Sequence, residues 1–196
     1  MICKIIGITG NSGSGKSTVS QMLTQMGGAS IDADTLAHEA ILPGQPAYGE
    51  ILAKFGPDIL GPDNKIDRKK LGAIVFNNPG KRTALEQIIH PRVIDRISEK
   101  IEVFKVNGLP FIVIDAVLLI ESGLHKICDY VWLITASAEN RLRRITVRDN
   151  LEPEAAQARM RSQRDTALLM PYVNTVICND NGLDTLRQQV ERALAL

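Results

Sequence analysis

Nine residues near the start of the chain, Gly10-Asn11-Ser12-Gly13-Ser14-Gly15-Lys16-Ser17-Thr18, constrain its fold more than any other stretch. They follow the apolar run Ile5-Ile6-Gly7-Ile8 and precede a segment with Val19, Met22, Leu23 and Met26 at helical spacing. The run reads as a strand, Ile2 to Thr9, and the segment as an amphipathic helix, Lys16 to Met26. Gly10-x-x-x-x-Gly15-Lys16-Ser17 between a strand and a helix is the pattern of a phosphate-cradling loop. Its glycines let backbone N–H groups turn inward, and the positive end of the helix faces the same anion. Asn11, Ser12, Gly13, Ser14, Gly15, Lys16, Ser17 and Thr18 are therefore the candidate nucleotide-binding residues. Lys16 is expected to bridge the β and γ phosphates, and the Ser17 hydroxyl to ligate Mg2+.

The rest of the chain alternates strand and helix. "ASIDAD" is a short second strand after the helix-ending Gly27-Gly28; Pro110 to Asp115 and Tyr130 to Ile134 read as the third and fourth, and Thr175 to Cys178 as the fifth. Helices are expected at Ala138–Asp149, Pro153–Arg164 and Leu183–Leu194. Alternation of this kind predicts an α/β fold with a doubly wound, five-stranded parallel sheet. From Thr35 to Asn107 there are only helical patterns, with Asp67 and Asn78 as N-caps and Pro79 in a first turn. So long a stretch between strands predicts an inserted helical subdomain on the substrate side.

Composition fits one domain of this class. The 196 residues carry a formal net charge of +1, which offers no basic footprint for nucleic acid. The longest apolar run, Phe111 to Ile120, contains Asp115 and is too short to span a bilayer. No charged n-region or transit-type segment precedes the first strand. Three cysteines, Cys3, Cys128 and Cys178, lack metal-ligand spacing and read as reduced, mostly buried thiols of a cytosolic protein. Trp132 and the methionines fall at core periodicity.

A phosphate loop selects a superfamily, not a reaction. "NKID" at Asn64 to Asp67 and "DILG" at Asp58 to Gly61 match GTPase motifs by letter. Neither follows a buried strand, and the two nearly touch where a GTPase separates them by a strand and a helix. Asp32 and Asp34 would share one face if the second strand continued through both. There a carboxylate could accept a proton from an attacking hydroxyl, hold metal through water, or cap the next helix. Asp115, at the end of a buried strand, could hold Mg2+ through water or pair a loop amide.

The loop followed by "IDADTLAHEAILPGQPAYGEILAKFG" resembles the dephospho-coenzyme A kinase family. The likeness continues through Asp67-Arg68…Leu71…Val75-Phe76, Leu85-Glu86…Ile88…His90-Pro91…Val93, "DAVLLIE", and a lid pattern at Arg144, Arg148-Asp149, Arg159 and Gln163. It covers nearly the whole chain in order, with departures at His38, Val117 and Val173-Asn174. The resemblance implies a P-loop kinase with a core at 1–34, 108–137 and 172–196, a helical acceptor-binding subdomain at about 35–107, and a helical lid at about 138–165. It also implies transfer of phosphate from ATP, with Mg2+, to the ribose 3′-hydroxyl of dephospho-coenzyme A.

By the same resemblance Asp34 is the general base, with Lys16 and Arg144 the other catalytic residues, and Asn179 lies near the adenine. Arg68, His90, Leu118 and Glu121 join Asp34 on the acceptor side, and Ser17 and Asp115 on the metal. A cytoplasmic monomer or weak homo-oligomer without nucleic-acid or membrane partners is expected. Another small-molecule kinase, with a nucleoside or sugar-acid acceptor, and a non-catalytic nucleotide-binding module are the alternatives.

Overall fold

The computed structural model describes residues 3–76 and 78–195. Ile2, expected in the first strand, lies outside them. The chain divides into two units, Met1–Ile31 with Val103–Leu196, and Asp32–Glu102.

The first unit is built on apolar strands. β1 (Lys4–Thr9) leads through the glycine-rich loop into α1 (Lys16–Gln25), and β2 (Ala29–Asp32) follows. Across the second unit run α2 (Ala33–Ala40), α3 (Pro46–Phe55), α4 (Arg68–Phe76) and most of α5 (Pro79–Val106). The chain returns with β3 (Phe111–Asp115), β4 (Tyr130–Thr135), α6 (Ala138–Asp149), α7 (Pro153–Arg161), β5 (Thr175–Cys178) and α8 (Gly182–Leu194). The sheet order is β2-β3-β1-β4-β5. β1 runs parallel to β3 and β4, and β4 parallel to β5. β1 lies between two strands and buries Ile6 to Thr9, which is why its middle reads as an apolar run.

Ile6, Ile8, Val19, Leu23, Val113, Trp132, Ile134, Ile177, Leu186 and Val190 form the core of this unit. Gly7 is needed there for space, because a Cβ would lie 2.7 Å from Cys128 Sγ and from Leu119 Cδ2. The second unit has its own core, in which Ile41, Ala47, Ile51, Ile59, Ile66 and Leu71 are buried.

Local chemistry sets the helix ends. Asp67 Oδ1 accepts the N–H groups of Lys69 and Lys70 at 2.8 and 3.2 Å, and Asn78 Oδ1 accepts that of Lys81 at 3.0 Å. Both are the caps expected from sequence. α5 continues through Pro91, burying Val93, Ile97 and Ile101 along one stripe. Helix α7 ends at Arg161, three residues before the expected Arg164. The cysteines correct another expectation: Cys178 is exposed and Cys3 and Cys128 only half-buried. Met170 is also half exposed, on a short turn of helix (Thr166–Tyr172) outside the regular core periodicity.

Candidate active site

In a parallel sheet every strand delivers its carboxyl end to the same edge. In the first unit that edge carries the glycine-rich loop after β1, Asp115 at the end of β3, Ser137 after β4, and Asn179-Asp180 after β5.

The loop is shaped by its glycines. Gly10, Gly13 and Gly15 have φ of 152, 78 and 98°. A Cβ on Gly15 would lie 2.0 Å from Asn179 Nδ2, and one on Gly13 2.8 Å from the Arg141 carbonyl oxygen. No side chain caps α1, whereas Asp32 caps α2 and Ser137 caps α6. The first amides of α1 are thus left without a side-chain acceptor, as an anion site requires. Ser14 Oγ is buried and has no hydrogen-bond partner. A cradle that excludes side chains, an uncapped helix start and an orphaned hydroxyl together fit the phosphates of a nucleotide. Lys16 Nζ donates to the Gly10 carbonyl at 2.9 Å, which folds the lysine back over the loop.

Three of the loop carbonyls have side-chain partners. Arg141 Nε donates to Ser12 O at 3.1 Å, Arg144 Nη1 to Gly13 O at 3.1 Å, and Asn179 Nδ2 to Ser14 O at 2.9 Å. Arg144 Nη2 also donates to the Asn179 carbonyl at 2.8 Å. Within the loop the Ser14 N–H also donates to the Asn11 carbonyl at 3.1 Å, which closes a tight turn. Arg141 further donates to Gln163 Oε1 at 2.6 Å, and desolvation lowers its pKa. Asn11 Nδ2 reaches the Arg164 carbonyl at 3.2 Å, while the Arg164 guanidinium bonds Val117 O and pairs with Glu121. Residues 163–164 are therefore tied to both the loop and the turn after β3.

Sequence reasoning found Arg144 and Asn179 but missed Arg141 and Arg164. Arg141 precedes Arg144 by three residues on the same helical face, a spacing that signals it. Arg164 adjoins the recognised Gln163, but nothing in the spacing gives its contacts. Arg148 takes another part, since it forms a two-point ion pair with Asp149 at 2.8 Å, and Arg159 joins the same carboxylate at 2.7 Å.

Ser17 is exposed in the first turn of α1, and Asp115 is half-buried opposite Ile8 of β1. Among the described residues no group of three or more His, Cys, Asp or Glu could hold a metal ion. A hydroxyl and a carboxylate fit Mg2+, which keeps several waters and shares phosphate oxygens.

In the second unit, Asp32 and Asp34 do not share a strand face as alternation would have it. β2 stops at Asp32, whose carboxylate caps α2 by accepting Thr35 N–H at 2.9 Å and Thr35 Oγ1–H at 2.8 Å. The helical rise begins at once because that cap satisfies the amide of Thr35 in its first turn. Asp34 lies half-buried in the first turn of α2. Arg68 opens α4, and His90 lies in α5 beside Pro91. Leu118 and Glu121, in the first unit, are exposed.

The strand order and the arginine-clamped phosphate loop define a P-loop nucleotide-binding protein. Shikimate kinase from Acinetobacter baumannii has the same fold, with TM-score 0.53 and 16% identity over 98% of this chain and 91% of that one. Within the class, the chain belongs to the dephospho-CoA kinase family, whose profile (CoaE: Dephospho-CoA kinase) matches residues 4–185. It is 43% identical over 190 residues to a dephospho-CoA kinase of Symbiobacterium thermophilum, covering 97% of this chain and 80% of that one. The dephospho-CoA kinase structure from Campylobacter jejuni aligns with TM-score 0.69 and 31% identity over 99% of this chain and 96% of that chain.

Proposed function

We propose that the protein transfers the γ-phosphoryl group of ATP to the ribose 3′-hydroxyl of dephospho-CoA, giving CoA and ADP. The observation that carries this reading is the phosphate loop held open by Arg141, Arg144 and Asn179, in a chain matched by the dephospho-CoA kinase family from residue 4 to 185.

Phosphoryl transfer asks for positioning and charge neutralisation more than covalent chemistry. Loop residues 11–18, with the Lys16 ammonium, hold the donor phosphates. Arg144 neutralises charge as the phosphoryl group leaves ADP, and its planar fork suits phosphate oxygens. Asn179 borders the adenine. Ser17, and Asp115 through water, would hold Mg2+, which supplies further neutralisation of the β and γ phosphates. Asp34 accepts the proton of the 3′-hydroxyl as its oxygen bonds to phosphorus. Arg68, His90, Leu118 and Glu121 contact the acceptor.

The helical stretch at about 35–107 is the acceptor-binding subdomain, and residues at about 138–165 form a lid that excludes water. No helix among the described residues is long and apolar enough to cross a membrane. A cytoplasmic enzyme, monomeric or weakly self-associating and without nucleic-acid or membrane partners, fits this reading.

ATP consumption with and without dephospho-CoA tests the proposal. Turnover should require dephospho-CoA, and the product should carry a new 3′-phosphomonoester by phosphorus NMR. Turnover with shikimate, gluconate or nucleosides instead would overturn it.

A further inference from the structure

Asp180 follows Asn179 in the turn between β5 and α8, and its carboxylate is turned toward the start of α6. Oδ1 accepts the Ser137 backbone N–H at 2.8 Å and Asn140 Nδ2 at 2.8 Å. Oδ2 accepts the Ser137 N–H at 3.1 Å and the Cys178 thiol at 3.1 Å. Ser137 is the N-cap of α6, so an anion stands at the positive end of that helix. The Asn140 side chain first, then the Ser137 amide and the Cys178 thiol, hold the Asp180 carboxyl far below the usual carboxylate range.

What α6 carries gives this anchor its meaning. Arg141 and Arg144 lie four and seven residues beyond Ser137, on one helical face. They donate to the carbonyls of Ser12 and Gly13, and Arg144 also to that of Asn179. The neighbouring Asn179 holds Ser14 O through its side chain, and its own backbone N–H donates to Thr135 O at the end of β4 at 2.8 Å. The β5–α8 turn thus grips the phosphate loop directly through Asn179 and the helix that grips the same loop through Asp180. A helix fixed by its first turn has its second and third turns fixed with it.

We propose that Asp180 is a positioning residue for nucleotide binding and transfer, acting through α6 to seat Arg141 and Arg144 on the phosphate loop. Its role in transfer rests on the kinase reading; its role in ATP binding does not. The first test is therefore ATP affinity by calorimetry without acceptor. Charge-assisted hydrogen bonds of this kind are each worth enough to change an equilibrium about tenfold. Asp180→Ala should weaken ATP about tenfold, and Asp180→Asn, which keeps the shape and one acceptor oxygen, by less.

A residue that only supports the fold would weaken ATP equally in any background. Introduced into Arg141→Ala/Arg144→Ala protein, Asp180→Ala should instead cause no further loss, because the groups it positions are gone. Unchanged affinity in the single variant, or the same tenfold loss in both backgrounds, would overturn the proposal. Should the alanine variant fail to fold, the same cycle with Asp180→Asn decides between the two roles. Absence of dephospho-CoA turnover in the unmodified protein would count against the kinase reading alone.

Discussion

Asp32 and Asp34 stand two residues apart, yet a helix start between them separates their chemistry. Asp32 has both carboxylate oxygens engaged by Thr35. Its replacement by alanine should lower stability by about 0.5–2 kcal/mol, the usual cost of a lost cap, with a smaller effect on rate. Asp34→Asn keeps size and removes the base, so the acceptor-dependent rate should fall on the order of a hundred- to ten-thousand-fold with ATP affinity little changed. Urea unfolding and steady-state kinetics separate the two outcomes, and the reverse order of rate losses would move the base to Asp32.

Cysteine chemistry provides an independent check at this scale. Burial pushes the Cys128 thiol up to about 12, with the Asp129 charge adding to it. Cys178, although exposed, is raised first by its hydrogen bond to Asp180. The thiolate is the reactive form, so a raised pKa means slow alkylation. At pH 8, iodoacetamide should leave Cys128 unlabelled and label Cys178 slowly, and Asp180→Asn should speed labelling of Cys178. Peptide mass spectrometry reads both, and rapid labelling of Cys128 would contradict its desolvation beside Asp129.

At the scale of elements, the phosphate loop is a strand-to-helix junction whose helix is left uncapped while α2 and α6 are capped by side chains. Gly15 permits this, with φ of 98° and Asn179 in the space of its missing Cβ. Gly15→Ala should therefore abolish measurable ATP binding while leaving the sheet's circular dichroism intact. Helices α6 and α7 are joined by Asp149, which Arg148 and Arg159 share. Exposed pairs of this kind contribute little stability each, and each of the two helices buries only one side chain, Ile145 in α6 and Ala156 in α7. Hydrogen exchange over 138–165 should slow when ATP and acceptor bind together, as a closing lid requires. Unchanged protection there would remove the lid from the proposed mechanism.

At the scale of the whole molecule, two sets of apolar residues form two cores. Ile51 is fully buried in the core of the second unit, while the phosphate loop belongs to the first. Ile51→Ala should cost about 2–5 kcal/mol, the range for truncating a buried aliphatic side chain, and leave ATP affinity nearly unchanged. Denaturant unfolding and calorimetry measure the two quantities. A large loss of ATP affinity would show that the first unit depends on the second for its loop.

Much of this molecule is legible in its sequence, because short-range physics is written in short stretches of chain. The strand–loop–helix around Lys16, the caps Asp67 and Asn78, and the alternation of strands and helices all follow from such local patterns. Arg144 is legible in another way, through its place in the lid motif of the family that the sequence resembles. Other features depend on residues that meet only after folding. That Asp32 caps rather than faces a ligand depends on where β2 stops, and alternation alone does not set that point. Arg141 on Ser12, Arg164 on the turn after β3, and Asp180 on Ser137 join positions 43 to 129 residues apart. Parallel strands bring such positions to one edge of the sheet through their crossover connections. A side chain's partner across that edge is a property of the assembled sheet, and no periodicity within the chain records it.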